Sequence, residues 1–181
     1  HVQYYANKGG MIKTDDQIQG FVLKGVSKDY DTSFFAENLT DGRLLNLTDG
    51  SISNEVLISK TIADKLQVGC GDKLKTYFWQ DDNYRARALS IVGIYNTDLT
   101  DFDEHFVIGD IRQVQKLNGW DSDMVAGYEL LIDNFDKLDE VYENVLSAID
   151  YDMTASTIVM DNLSLFSWLS LLDSNIVLIL T

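Results

Sequence analysis

The chain has 181 residues, a length that one or two compact units occupy, and 45% of them are hydrophobic, enough for a core without staples. Its 29 acidic against 14 basic side chains leave a net charge of −15, a field that repels nucleic-acid phosphates, so nucleic acid is excluded as a partner. A single cysteine, Cys70, excludes an internal disulfide and a cysteine-rich zinc site, and the absence of proline leaves the turns to Gly, Asp and Asn.

Val2–Lys13 and Ile18–Val26 are β-leaning runs joined by four polar residues, and they predict a hairpin. Residues 27–54 are polar, with Asp41-Gly42 and Asp49-Gly50 as turn signals and one helical turn over 33–38. Residues 55–58 predict a buried strand running into a helix that Ser59 caps and whose apolar side is Ile62, Ala63 and Leu66. After a tight turn at Gly69-Cys-Gly-Asp72, residues 73–79 and 88–95 predict a second hairpin with a polar, exposed connection over 80–87. Residues 106–108 read as a short strand, and Asp110 caps a helix that holds Ile111, Val114 and Leu117 until Gly119 ends it.

Residues 128–132, a helix with Leu138, Tyr142, Val145, Leu146 and Ile149 on one face, and residues 154–160 predict a β-α-β unit with parallel pairing. A last helix starts near Asn162, with Leu165, Leu169, Leu172 and Ile176 on one side. Beginning at His1 and closing on the unterminated apolar run 175–181, the chain reads as a fragment. Its last helix is either a core-packing element or the start of a truncated membrane span, which needs about 20 apolar residues.

Chemistry-bearing motifs are few. Neither Gly20–Gly25 nor Gly69–Gly71 is followed by the Gly-Lys-Ser/Thr of a phosphate loop, and Gly69-x-Gly71 lacks the third glycine of a dinucleotide fingerprint. Asp98, Asp101, Asp103 and Glu104 stand beside His105, as a solvated acidic loop, a Ca²⁺ site or an acid/base pair. They lack the Gly and distal Glu of an EF-hand and the paired histidines of a zinc hydrolase. Residues 121–152 hold ten acidic side chains and one lysine, a local −9, which is either a solvated face or a docking surface for a basic partner. Trp79, Asp81, Asp82 and Tyr84 mark the second hairpin's end as a candidate partner contact, with simple Trp79–Tyr84 cross-strand pairing as the alternative. No catalytic, cofactor-binding or metal residue is assigned.

The order of five segments is similar to the extracytoplasmic core domain of ABC transporter permeases of the MacB, FtsX and Lol type. They are Asp41-Gly-Arg-Leu-Leu45, Glu55-Val-Leu-Ile-Ser-Lys-Thr-Ile-Ala-Asp-Lys-Leu66, Val68-Gly-Cys-Gly-Asp-Lys73, Leu89-Ser-Ile-Val-Gly-Ile-Tyr-Asn96 and the following Phe102-Asp103. The resemblance implies an α+β (mixed α/β) fold, a porter-like β-α-β subdomain with an inserted sabre-like, β-rich subdomain. Residues 1–26 and 121–160 would be porter-like, 27–120 sabre-like, and 161–181 an amphipathic helix leading into a truncated transmembrane helix.

It further implies a non-catalytic periplasmic domain of a bacterial inner-membrane protein that couples ATP-driven helix motion to lipoprotein release, efflux or FtsX-like signalling. No cofactor belongs to this domain, since ATP is bound by a separate ATPase subunit or domain. The implied partners are that cognate ATPase, a second permease copy and a periplasmic partner protein, with the membrane reached through flanking helices. The lipoprotein-release permeases of the family carry a long arm between strands matching 73–79 and 88–95, where only residues 80–87 stand here. Two other readings remain beside it: a soluble Ca²⁺-binding or hydrolytic protein using Asp98 to His105, and a secreted interaction module.

Overall fold

Period-two burial sets the first element. In β1 (Val2–Lys13) the side chains of Ala6 and Ile12 are fully buried while Asn7, Met11 and Lys13 are exposed. β1 pairs antiparallel with β2 (Ile18–Val26), in register from Lys13 opposite Ile18 to Tyr5 opposite Val26. The expected hairpin thus forms with the expected limits. The computed structural model describes residues 1–14, 17–80, 83–163 and 166, which fall into two compact units, 1–130 and 131–181.

In the first unit, α1 (Ser33–Glu37) and β3 (Leu39–Gly42) precede β4 (Glu55–Ser59) and α2 (Lys60–Leu66). The Ser59 hydroxyl caps α2 by accepting from the Ile62 amide at 3.0 Å. β5 (Lys73–Gln80) and β6 (Asn83–Tyr95) form the second hairpin, then come α3 (Thr100–His105), β7 (Phe106–Asp110), α4 (Ile111–Asn118) and β8 (Gly127–Leu130). Asp110 caps α4 through the Arg112 amide at 2.9 Å, and Gly119 ends it at φ +68°, where glycine carries no Cβ penalty.

The pairings β1–β2–β7–β4–β6–β5–β1 close into a ring of six strands, with β8 added to the first residues of β1 and β3 to β6. β2–β7 and β4–β6 are parallel and the other pairs antiparallel, a mixed sheet. One side buries Ile12, Phe21, Leu23, Val56, Ile58, Leu74, Phe78, Leu89, Ile91 and Val107, with Phe21 edge-on to Phe78 at 5.6 Å. The other side buries Val26, Leu57, Tyr95 and Ile108 under Phe35 of α1. β4 is therefore apolar at consecutive positions because both of its faces are covered. Gly25 lets α4 lie directly on β2: a Cβ there would stand 2.6 Å from the Ile111 Cα.

Two expectations fail here. Residues 80 and 83–87 of the expected connection are ladder: Trp79 pairs with Tyr84, Phe78 with Arg85 and Tyr77 with Ala86, so the two arginines belong to β6. Residues 100–105 are helix α3 and no loop, with Asp101 and Asp103 in the first turn, where carboxylates complement the helix N-terminus. The hairpin β1–β2 lies in the same ring as β4 to β7, and the first compact unit runs to residue 130.

In the second unit, a 3-10 turn over Phe135–Lys137 capped by Asn134 leads into α5 (Leu138–Ala148), the helix read from its apolar spacing. Residues 154–157 form no strand, and α6 (Ile158–Asp161) follows, so the parallel β-α-β pairing is absent among the described residues. Thr157, which reads as a strand former by its β-branch, instead caps α6 by accepting from the Met160 amide at 3.2 Å. Among the described residues no helix is long and apolar enough to cross a membrane. The expected last helix lies almost wholly outside them.

Candidate functional site

At the end of the β5–β6 hairpin, Trp79 and Tyr84 face each other edge-to-face, with ring centroids 4.8 Å apart at 75°. They are 52% and 59% exposed, so cross-strand pairing and display to solvent occur together. A pair of rings fixed against each other presents a large contact area with little rotamer freedom to lose on binding. Asp81 and Asp82, expected beside them, lie outside the described residues.

The acidic segment before β7 does not assemble a cation site. Asp103 is 3% exposed and turns inward, accepting from the Thr97 hydroxyl at 2.8 Å and the Thr97 amide at 3.1 Å. Its own carbonyl accepts from the Ser59 hydroxyl, which ties α3 to the start of α2. His105 Nδ1 faces the Asp101 carbonyl at 2.9 Å, and Asp98 accepts from the Asn96 side chain at 2.7 Å. Among the described residues no three His, Cys, Asp or Glu side chains converge as metal ligands. Partial burial and the neighbouring Asp41 carboxylate push the Cys70 thiol up, away from the nucleophilic thiolate.

Two polar clusters hold the loops around the ring. Glu129 on β8 pairs with Lys24 of β2 and accepts from the Tyr30 hydroxyl at 2.7 Å and the Gln3 amide group at 3.0 Å. Lys24 also lies over the Tyr5 and Tyr30 rings at 5.1 and 5.5 Å from their centroids. Burial raises the Tyr30 hydroxyl's pKa, reinforced by its bond to Glu129. For Glu129 burial acts upward too, but the bonds from Lys24 and Tyr30 outweigh it and hold the carboxyl below its ordinary value. In the second cluster the buried Asp110 accepts from the Ser53 amide at 2.9 Å and from the Arg112 guanidinium at 2.6 Å, and Arg112 also reaches the carbonyls of Gly50 and Ser51. Sequence reading found neither role beyond Asp110's cap, because Lys24 and Glu129 are 105 positions apart and no local pattern joins them.

The arrangement is one of supports and contact surfaces, and its fold is similar to that of extracytoplasmic domains of two transporter proteins. The extracellular domain of the ABC-type transporter YknZ from Gram-positive bacteria is similar at a TM-score of 0.55 and 15% identity, over 78% of this chain and 70% of that one. The periplasmic region of MacB from Actinobacillus actinomycetemcomitans is similar at 0.51 and 15% identity, over 81% of this chain and 66% of that one. No protein-family model and no curated protein sequence matches the chain. At this identity the likeness shows the fold, which is the α+β architecture expected from the sequence.

Proposed function

We propose that the chain is an extracytoplasmic, non-catalytic portion of an ABC transporter permease, held outside a bacterial inner membrane. The observation that carries this reading is the fold shared with the YknZ and MacB domains at TM-scores of 0.55 and 0.51. In this reading ATP is bound by a separate ATPase subunit or domain, and a second permease copy completes the transporter. The domain passes movement of the membrane helices to a substrate or a periplasmic partner protein. A ring of six hydrogen-bonded strands with side chains packed on both faces suits that task, since close-packed cores transmit displacement instead of absorbing it.

The partner contact falls on Trp79 and Tyr84, with Asp81 and Asp82 between them in sequence. The reading is tested by expressing the full natural polypeptide and extracting membranes with alkaline carbonate. It is expected to stay in the membrane pellet and to purify in detergent with an ATPase; recovery in the soluble fraction overturns the proposal.

A further inference from the structure

Half of the basic side chains lie in four strands. β1, β2, β5 and β6 contain seven Lys and Arg and no Asp or Glu, so the other seven basic residues share the rest of the chain with all 29 acidic ones. Lys24 is taken up by Glu129. Alternation puts Lys13 of β1 and Lys73 and Lys75 of β5 on the exposed side, while Ile12, Leu74 and Thr76 point into the core.

These three lysines meet because of a break in the ladder. β1 and β5 are paired only from Gly10 opposite Phe78 to Ile12 opposite Thr76. Beyond Ile12 each strand continues with its hairpin partner alone, and a cleft of about 390 Å³ opens between them, lined by Lys13, Thr14, Lys73, Lys75 and Tyr77 among others. Among the described residues no carboxylate lines it and none of the three lysines forms an ion pair. Next to it Met11 and Tyr77 stand opposite each other, on the strand face that also carries Trp79 and its partner Tyr84.

We propose that this cleft binds an extended acidic segment of a partner polypeptide. Its carboxylates would meet Lys13, Lys73 and Lys75, and its backbone would lie along the strand edges where the β1–β5 ladder stops. Lysines on flexible stems set charge along a track without the planar fork that selects one phosphate. The patch is also narrow. With a screening length of about 8 Å at physiological salt, a single polypeptide strand in the cleft is acted on mainly by its lining lysines, whereas a bilayer or a nucleic acid also meets the acidic remainder of the chain. Strand edges without a ladder partner add the main-chain pairing that an extended peptide uses and a lipid headgroup does not. This inference stands on the cleft and is independent of the permease reading.

The test titrates a dye-labelled nine-residue peptide alternating Glu and Val into the 181-residue chain and follows anisotropy. Saturable binding that weakens with added salt is expected, together with movement of the backbone amide resonances of Lys13, Thr14 and Leu74. Lys13→Gln, Lys73→Gln and Lys75→Gln should each weaken binding about twofold to fivefold, and the triple variant about tenfold or more. Lys60→Gln, on α2, should leave it unchanged, and the Gln-for-Glu peptide should not bind. Circular dichroism checks each variant's fold, and if the triple variant unfolds the single variants decide. Absence of saturable binding, or equal affinity for the triple variant, overturns the proposal. So does lysine-dependent binding of inorganic phosphate or phosphatidylglycerol vesicles in place of the peptide, which would make the cleft a phosphate site.

Discussion

Helix α4 in the first unit and helix α5 in the second each carry apolar side chains along one helical face, yet their surroundings differ. α4 buries Ile111, Val114 and Leu117 completely, because Gly25 on β2 lets its backbone come within touching distance of the sheet. α5 buries no residue: Leu138, Tyr142, Val145 and Ile149 are half-buried and Leu146 is exposed. Every fully buried hydrophobic side chain among the described residues lies between Ala6 and Leu117. Periodicity thus selects the face a helix will bury; how far it is buried depends on a neighbour brought in from elsewhere in the chain.

The largest expected effect is in the ring. Phe78 is fully buried against Phe21 and over Gly10, so Phe78→Ala should cost about 3–5 kcal/mol through lost transfer energy and the cavity left behind. Denaturant unfolding followed by near-ultraviolet circular dichroism measures it, and a loss under about 1 kcal/mol would break the claim that stability is concentrated there. Next is Gly25→Ala, whose methyl group would meet the Ile111 backbone and force α4 off β2, at about 3 kcal/mol. Gly9→Ala, where nothing lies within 4 Å of the new Cβ, is the matched control and should be neutral or slightly stabilising. If both glycine variants behave alike, the close approach of α4 is not what builds that interface.

The parts of this architecture that could be read from the sequence are those whose cause is local. Alternation in β1 and β2, the caps at Ser59 and Asp110 and the Gly119 stop all act within a few residues, and the structure contains them. β3 escaped notice because its pairing with β6 is all that makes Leu39–Gly42 a strand. The arginines of β6 disguised a ladder as a loop, since strand residues that face water carry no apolar signal. At the site, the Trp79–Tyr84 pair was legible from its place at a hairpin end. The meeting of Lys13 with Lys73 and Lys75 was not, because it depends on where the β1–β5 ladder stops.

Acid should weaken the first unit through Glu129. Its carboxyl titrates lower in the folded chain than in the unfolded one, so its contribution is complete above the unfolded value of about 4.3 and is lost as pH falls through the folded value. Glu129→Gln should cost about 1.5 kcal/mol near neutrality by leaving the half-buried Lys24 and Tyr30 without their charged partner. The difference between wild type and variant should shrink as pH is lowered from 6 to 3, read by thermal melts at each pH. A constant difference across that range would mean that the Lys24–Glu129 cluster contributes by packing and not by charge.

The smallest effect tests the other side of the comparison. Leu146 is 38% exposed on α5, so Leu146→Ala should change stability by less than about 0.5 kcal/mol in the 181-residue chain. Alanine also has the better helix propensity, which offsets part of any lost contact. The measurement gains its meaning when repeated in the full natural polypeptide. If the loss there rises to about 2 kcal/mol or more, the apolar stripe of α5 is covered in that setting, as a leucine moved from half-exposed to buried requires. An unchanged small value would show that Leu146 remains at the surface, and that the stripe on α5 is wider than the face this helix uses.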